Sequence, residues 1–525
     1  MKMAKWVGAL VVLSVAACRD GGAVSNESTS SSDDGGSDVA PTTTTPTSAT
    51  DTTAADTTTG DVAEPYGGVW CGNASTGALA LGPMLGVIEF HGAAASPVPI
   101  VGWADDTGQI MVARYDVASA SWSDPDVVAT DFPYTGIEVS RPPVGAVSPS
   151  GDAWIAYGMS TPEPHVVVHR YEMATQTWTR EDLPDTFADP IAVGMVASST
   201  GHAALFANDL QPDGLDGRTA VWFFDPDAAA WTAEPPEELE AFSAGESTRG
   251  ASDATSGNIV LAKDGELGTL TMWRYLAASN EVVRDEVVTG GDDVEQVIAL
   301  GNDAFVVVTR RSESDGPYEL NAHHFDGTAW QPAVEIGSGI GLGGYRGLHI
   351  VGDVGRVGVG WTESAGAAFA TTYTSETGWR EPSMLQANEP MSPGAISSVR
   401  VALDEAGAFV MWAAIAAGKV TPRSSYFEAE TWSTTAIVDP NQPQTYSDLK
   451  HLDALGPGRA RAVWERHDEL GGMSWVWACH TPSDGWSAPT STAIVRRVDP
   501  RPAGEVLVVT VQGSMGSAEY FAAAE

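Results

Sequence analysis

Cysteine is nearly missing: Cys18, Cys71 and Cys479 are the three in 525 residues. So few excludes a fold built on a disulfide framework, and there is no Cys-x-x-Cys pair for redox or zinc chemistry. Basic residues are scarce as well, 27 Lys and Arg against 69 Asp and Glu, giving a formal net charge of −42. A field of that sign repels phosphate backbones and anionic headgroups, so no nucleic-acid partner is expected. The acidity reads as a solubility device ahead of a cation site. No amphipathic helical pattern follows the first seventeen residues, which argues against a helical fold. Gly-x-Ser-x-Gly and His-Glu-x-x-His are missing, and Gly418-Lys419 lacks both the upstream glycine and the following hydroxyl of a phosphate loop, so no cofactor is expected.

What is present begins with an export signal. Lys2 and Lys5 precede an apolar run, Val7 to Val15, that ends in Val15-Ala16-Ala17-Cys18. A run of about ten residues is too short for the roughly twenty needed to span a bilayer, so it reads as a cleaved signal over residues 1–17. Its ending resembles the lipobox of bacterial lipoproteins. That resemblance implies that Cys18 is lipidated and becomes the mature N-terminus, making a membrane the first partner. It places the chain in a bacterial cell envelope, and Arg19 in place of an aspartate points to the outer membrane. With Cys18 committed to lipid, Cys71 and Cys479 remain either as one disulfide joining the two ends of the folded region or as two separate buried thiols.

Residues 18–65 are Ser, Thr, Asp, Gly, Ala and Pro, with runs such as Thr42-Thr43-Thr44-Thr45-Pro46. There is no apolar surface here to offset the entropy of ordering, so a disordered linker is expected, with a typical reach of about 40 Å.

From residue 66 onward the chain repeats itself about every fifty residues. A tryptophan follows a polar turn at Trp122, Trp178, Trp231, Trp330, Trp379, Trp432 and Trp486, and Val282 takes the place of an eighth. Five to seven residues upstream sits another aromatic, as at Tyr115, Tyr171, Phe224 and Phe325, and between the two lie turn formers such as Asp225-Pro226-Asp227. Each unit also has an earlier hairpin, as in Gly151-Asp152-Ala153-Trp154-Ile155-Ala156-Tyr157. Four strands per unit, stacked around a ring, predict an all-β fold over residues 66–525: a β-propeller of about eight blades, or nine. The last unit stops one strand short, and the segment around Ala78 to Leu81 is expected to supply it. A pair of β-sandwiches is the competing architecture, and the unbroken period argues against it.

The units resemble those of sialidase-like and fucose-lectin-like propellers, in which a Gly turn, an apolar strand, an aromatic-bearing strand and a turn with Trp recur in this order. Ser148-Pro149-Ser150-Gly151-Asp152-Ala153-Trp154 only loosely echoes the Asp-box of the sialidases, and no position carries their arginine triad, nucleophile pair or acid. The tryptophans are suited to stacking on sugars, but their even spacing favours a structural place between blades.

Metal readings are thin. His165 and His169 share one face of a strand, His323 and His324 point to opposite faces, and Asp213-Gly214-Leu215-Asp216-Gly217 reads as an acidic turn ahead of a calcium loop. No metal site is assigned. Three functions remain: first a lipid-anchored, non-enzymatic scaffold that binds a protein or glycan through loops at one mouth of the ring, with a sialidase-like enzyme with carboxylates in the channel as its alternative and a passive surface or assembly component as the third.

Overall fold

Runs such as Ala153–Met159 and Val506–Gln512 are buried almost throughout, as strands covered on both faces must be. They form the second strands of a nine-bladed propeller seen in a computed structural model. The structure describes residues 69–521 apart from 72, 92–97, 133–142, 160–162, 184–189, 211–216, 234–236, 240–248, 265–268, 289–291, 313–317, 341–346, 364–366, 387–397, 417–418, 440–445, 468–472, 501–504 and 513. The signal, Cys18 and the linker expected over 18–65 lie outside the described residues.

Each blade is an antiparallel sheet of strands A (innermost) to D. Blade 2 is typical: Val144–Val147, Ala153–Met159, His165–Glu172 and Thr177–Leu183. In several blades strand D is broken in two, as where Gly378–Trp379 and Ser383–Gln386 both pair with Ala368–Thr374. The A strands of blades 3 to 9 are Pro190–Ala197, Arg249–Ser252, Asp292–Gly301, Leu348–Asp353, Val399–Leu403, Tyr446–Gly456 and Ile494–Pro500. Each neighbours the next in chain order, and the ninth neighbours the first.

The ring closes through one long strand, Asn73–His91. Its first half, from Ser75 to Pro83, pairs antiparallel with Met515–Phe521 and is strand D of blade 9. Its second half pairs with Ile100–Asp105 and is strand A of blade 1. Gly82, at φ +71°, lies within the transition between the two halves, a conformation that costs glycine little. The strand expected around Ala78 to Leu81 is therefore present. Because it completes a blade of its own, the count is nine, the second of the two counts the repeat allowed.

The tryptophans hold neighbouring blades together. Each of the seven D-strand indoles lies 5.1–5.3 Å, centroid to centroid, from the aromatic ring of its own strand C. Three indole N–H groups donate to the preceding blade: Trp122 to the Gly77 carbonyl at 3.2 Å, Trp330 to Asp285 at 3.1 Å and Trp486 to Ser424 at 2.7 Å. A second lock precedes the aromatic by one residue. The guanidinium of Arg114 lies 4.2 Å from the Tyr171 ring centre, that of Arg170 4.6 Å from Phe224, and that of Arg274 4.3 Å from Phe325, each reaching one blade forward. Cation–π contacts of this kind contribute about 0.5–2 kcal/mol each.

Candidate functional site

Antiparallel order puts the A-to-B and C-to-D turns at one end of the ring and the B-to-C and D-to-A connections at the other. The first end is tied down. Asp253 accepts hydrogen bonds from the Thr255 N–H and Ser256 hydroxyl in its own turn, and from the Asp303 N–H of the next blade at 2.6 Å. Asp404 repeats this three blades further on, accepting the N–H groups of Ala406 and Gly407, the Tyr426 hydroxyl and, across blades, the Gly458 N–H at 2.8 Å. Burial raises the Tyr426 pKa, and the Asp404 carboxylate pushes it further up. These carboxylates are structural.

The opposite end is where the repeat is broken. D-to-A connections range from a single residue, Ala493, to the fourteen residues between Ala129 and Val144. The inner strands change character around the ring as well. Val144 of blade 2 lies opposite Ala156, and the comparable inner positions of blades 4, 6 and 7 are Arg249, His349 and Arg400. Each of these three reaches the next inner strand. Arg249 donates to the Glu295 carbonyl at 3.3 Å and Arg400 to the Lys450 carbonyl at 3.0 Å, while His349 Nδ1 accepts the Val401 N–H at 3.0 Å. Burial lowers the His349 pKa to about 3, with Arg400 and then His451 adding to the shift.

In blades 5, 8 and 9 the inner strand carries a bulge, and the extra residue is charged in each: Glu295, Lys450 and Arg496. The corresponding bulges of blades 1 and 3 hold Leu85 and Val193. A bulge re-aims the side chain it carries. Burial raises the pKa of Glu295, partly offset by Arg310, whose Nε lies 2.9 Å away, and by Arg249.

Lys450 and Arg496, on neighbouring blades, line one cleft of about 400 Å³ with His451, Glu465, Trp475 and Val495. Lys450 Nζ sits 2.6 Å from Asp448 and 3.1 Å from Glu465. Glu465 in turn lies 2.5 Å from His467 Nε2. Burial works to lower the Lys450 pKa, but the hydrogen bonds its ammonium donates to the two carboxylates outweigh it and the pKa is raised. The ammonium also lies 5.6 Å from the Trp475 ring centre.

The other residues singled out in the sequence are dispersed. Cys71, just before the closing strand, and Cys479, on strand C of blade 8, form a disulfide with Cα atoms 5.4 Å apart. His169 is buried, bonded to the Tyr157 hydroxyl at 3.1 Å, while His165 Nδ1 meets the Glu163 carbonyl at 2.6 Å. Tyr157 also donates to Asp131, which pairs with Arg180. Burial lowers the His169 pKa to about 4. His323 meets the Thr309 hydroxyl and His324 the Tyr373 ring, on opposite faces. Asp213 to Asp216 lie outside the described residues. Among the described residues no three His, Cys, Asp or Glu side chains are placed to hold a metal ion. Sequence reasoning missed the inner-strand residues and the charged bulges. The Arg-Tyr pairs at 114, 170 and 274 were a visible signal of the forward lock.

The chain matches no protein-family model and no curated protein. Solved structures similar to it include a lectin from Burkholderia pseudomallei, at 14% identity over 78% of this chain and 100% of that one, TM-score 0.39. Others are the six-bladed fucose-recognising lectin of Aleuria aurantia, at 13% over 59% and 95%, TM-score 0.29, and an ulvan lyase of a polysaccharide lyase family, at 11% over 85% and 94%, TM-score 0.36. At these values the nine-bladed assignment rests on the strand pairing itself.

Proposed function

We propose that this protein is a non-enzymatic binding scaffold, lipid-anchored through Cys18 at the surface of a bacterial outer membrane, that engages a glycan with the B-to-C and D-to-A end of its ring. The observation that carries the reading is the break in the repeat at that end, where three inner-strand bulges exchange apolar residues for Glu295, Lys450 and Arg496. A structural ring has no need of charged bulges at its mouth, whereas a ligand does. The linker expected over 18–65 lifts the ring off the bilayer, so the ligand is met away from the lipid.

A second reading, a glycan-cleaving enzyme, draws on Glu465, which lines the cleft and shares the Lys450 ammonium with the buried Asp448. A glycan array combined with a panel of chromogenic glycosides separates the two. The binding reading predicts retention of a glycan set without turnover, and turnover abolished by Glu465→Gln contradicts it. The anchor is tested by Cys18→Ser, which is expected to move the protein from the membrane fraction to the soluble fraction. A variant that stays with membranes after a high-salt wash contradicts the lipid.

A further inference from the structure

Resting on the glycan-binding reading, the geometry points to the cleft between blades 8 and 9 as a site for an acidic sugar, a carboxylate-bearing unit of the uronate type, and we propose it as such. Two bulges on neighbouring inner strands bring Lys450 and Arg496 to one cavity. The two cations differ in how they are held. Lys450 is committed to the buried Asp448 and to Glu465, and of the two carboxylates Glu465 lines the cleft as an acceptor. Arg496 is exposed, and among the described residues its guanidinium has no hydrogen bond or ion pair. In a chain of net charge −42 an uncommitted guanidinium on the inner strand runs against the overall field. It suits a planar carboxylate, which it can bind through two parallel N–H bonds.

The wall supplies an independent observation. Trp475 is 9% exposed and lines the cleft, and with the Lys450 ammonium 5.6 Å from its ring centre it gives the cleft an aromatic face on which a sugar ring can stack. A carboxylate acceptor, Glu465, and an uncommitted guanidinium, Arg496, beside one aromatic face match a ring that presents several hydroxyls and one acid group. The cavity, about 400 Å³, has room for one or two sugar rings.

The experiment uses the full-length protein in detergent on an array of uronate-bearing, sulfated and neutral oligosaccharides. The variants are Arg496→Gln and Arg496→Lys, with Arg284→Gln on an exposed outer strand as the control. Wild type and control are expected to retain uronate-bearing glycans ahead of neutral ones. Arg496→Gln is expected to weaken that retention at least tenfold, and Arg496→Lys to recover part of it. Arg496 is exposed, so these variants leave the core untouched, and unchanged thermal melting is the check. Uronate binding undisturbed by Arg496→Gln overturns the inference, as does retention of neutral or sulfated glycans alone, and in each case the glycan-binding reading stands. An array that retains nothing overturns both.

Discussion

Cys71 and Cys479 are 408 residues apart in sequence and share a disulfide across the seam of the ring. Cys71 immediately precedes the strand that completes blade 9, and Cys479 belongs to blade 8. The closing strand is therefore held twice, by its ladder with Met515–Phe521 and by a covalent tie to the adjacent blade. Cys71 is buried with Leu455, Val463, Val495 and Phe521, so the tie also seals a core cluster.

Removing that tie with Cys71→Ser is expected to cost about 2–4 kcal/mol, since the loop it closes is long. The loss should be local at first. Hydrogen exchange is expected to rise in Ser75–Pro83 and Met515–Phe521 before any other blade responds. Exchange that rises uniformly around the ring contradicts a seam held by this bond.

Asp404 ties blade 7 to blade 8 at the turn end. In Asp404→Asn an amide replaces one of the acceptor oxygens while the shape is kept, so a buried, charge-assisted set of bonds is partly lost. Destabilisation of roughly 1.5–3 kcal/mol in denaturant unfolding is expected. A change below about 0.5 kcal/mol would show that Gly458 and Tyr426 find other partners at no cost.

Arg274 and Trp330 meet through Asp285, at 2.6 Å and 3.1 Å, and Arg274 also lies over Phe325. Arg274→Met and Trp330→Phe should therefore fail to add. The double-mutant cycle is expected to give a coupling of about 0.5–3 kcal/mol. Strict additivity contradicts the shared lock between blades 4 and 5.

The buried His169 and the half-buried His349 set an acid limit. His349 and His169 have folded-state pKa values of about 3 and about 4, while an unfolded histidine titrates near 6.5. Between those values the unfolded chain binds protons that the folded one refuses. Stability is therefore full above pH 6.5 and falls as pH drops towards 4, by up to about 1.4 kcal/mol per unit for each group. His349 has a further reason to stay neutral, because its Nδ1 accepts the Val401 N–H. His349→Gln keeps an acceptor without a titration, so its unfolding free energy should fall less steeply between pH 6.5 and 4.5. An unchanged slope contradicts the assignment.

Much of the ring could be read in the sequence because its markers are local. A turn followed by Trp, with an aromatic a few residues before, repeats in strands C and D, and both strands are governed by short hairpins. Even the degenerate unit at Tyr275 to Val282 kept its turn. The closing strand could be inferred because one unit ended short, but the count hung between eight and nine, since sequence does not say whether a shared strand completes a blade or caps one. The candidate site was not legible in this way. Whether Lys450 or Arg496 bulges depends on the register of the strand beside it, and the inner strands carry no fixed turn-plus-Trp signature by which to align Arg249, His349 and Arg400.

Hydrogen-exchange mass spectrometry of the full-length protein with and without a glycan retained on the array tests the central claim most directly. The account predicts protection at Tyr446–His451, Glu465–His467, Met473–Trp475 and Ile494–Arg496, all at the B-to-C and D-to-A end of blades 8 and 9. Protection confined to the opposite turns, such as Ser148–Asp152 and Asp253–Gly257, would contradict it.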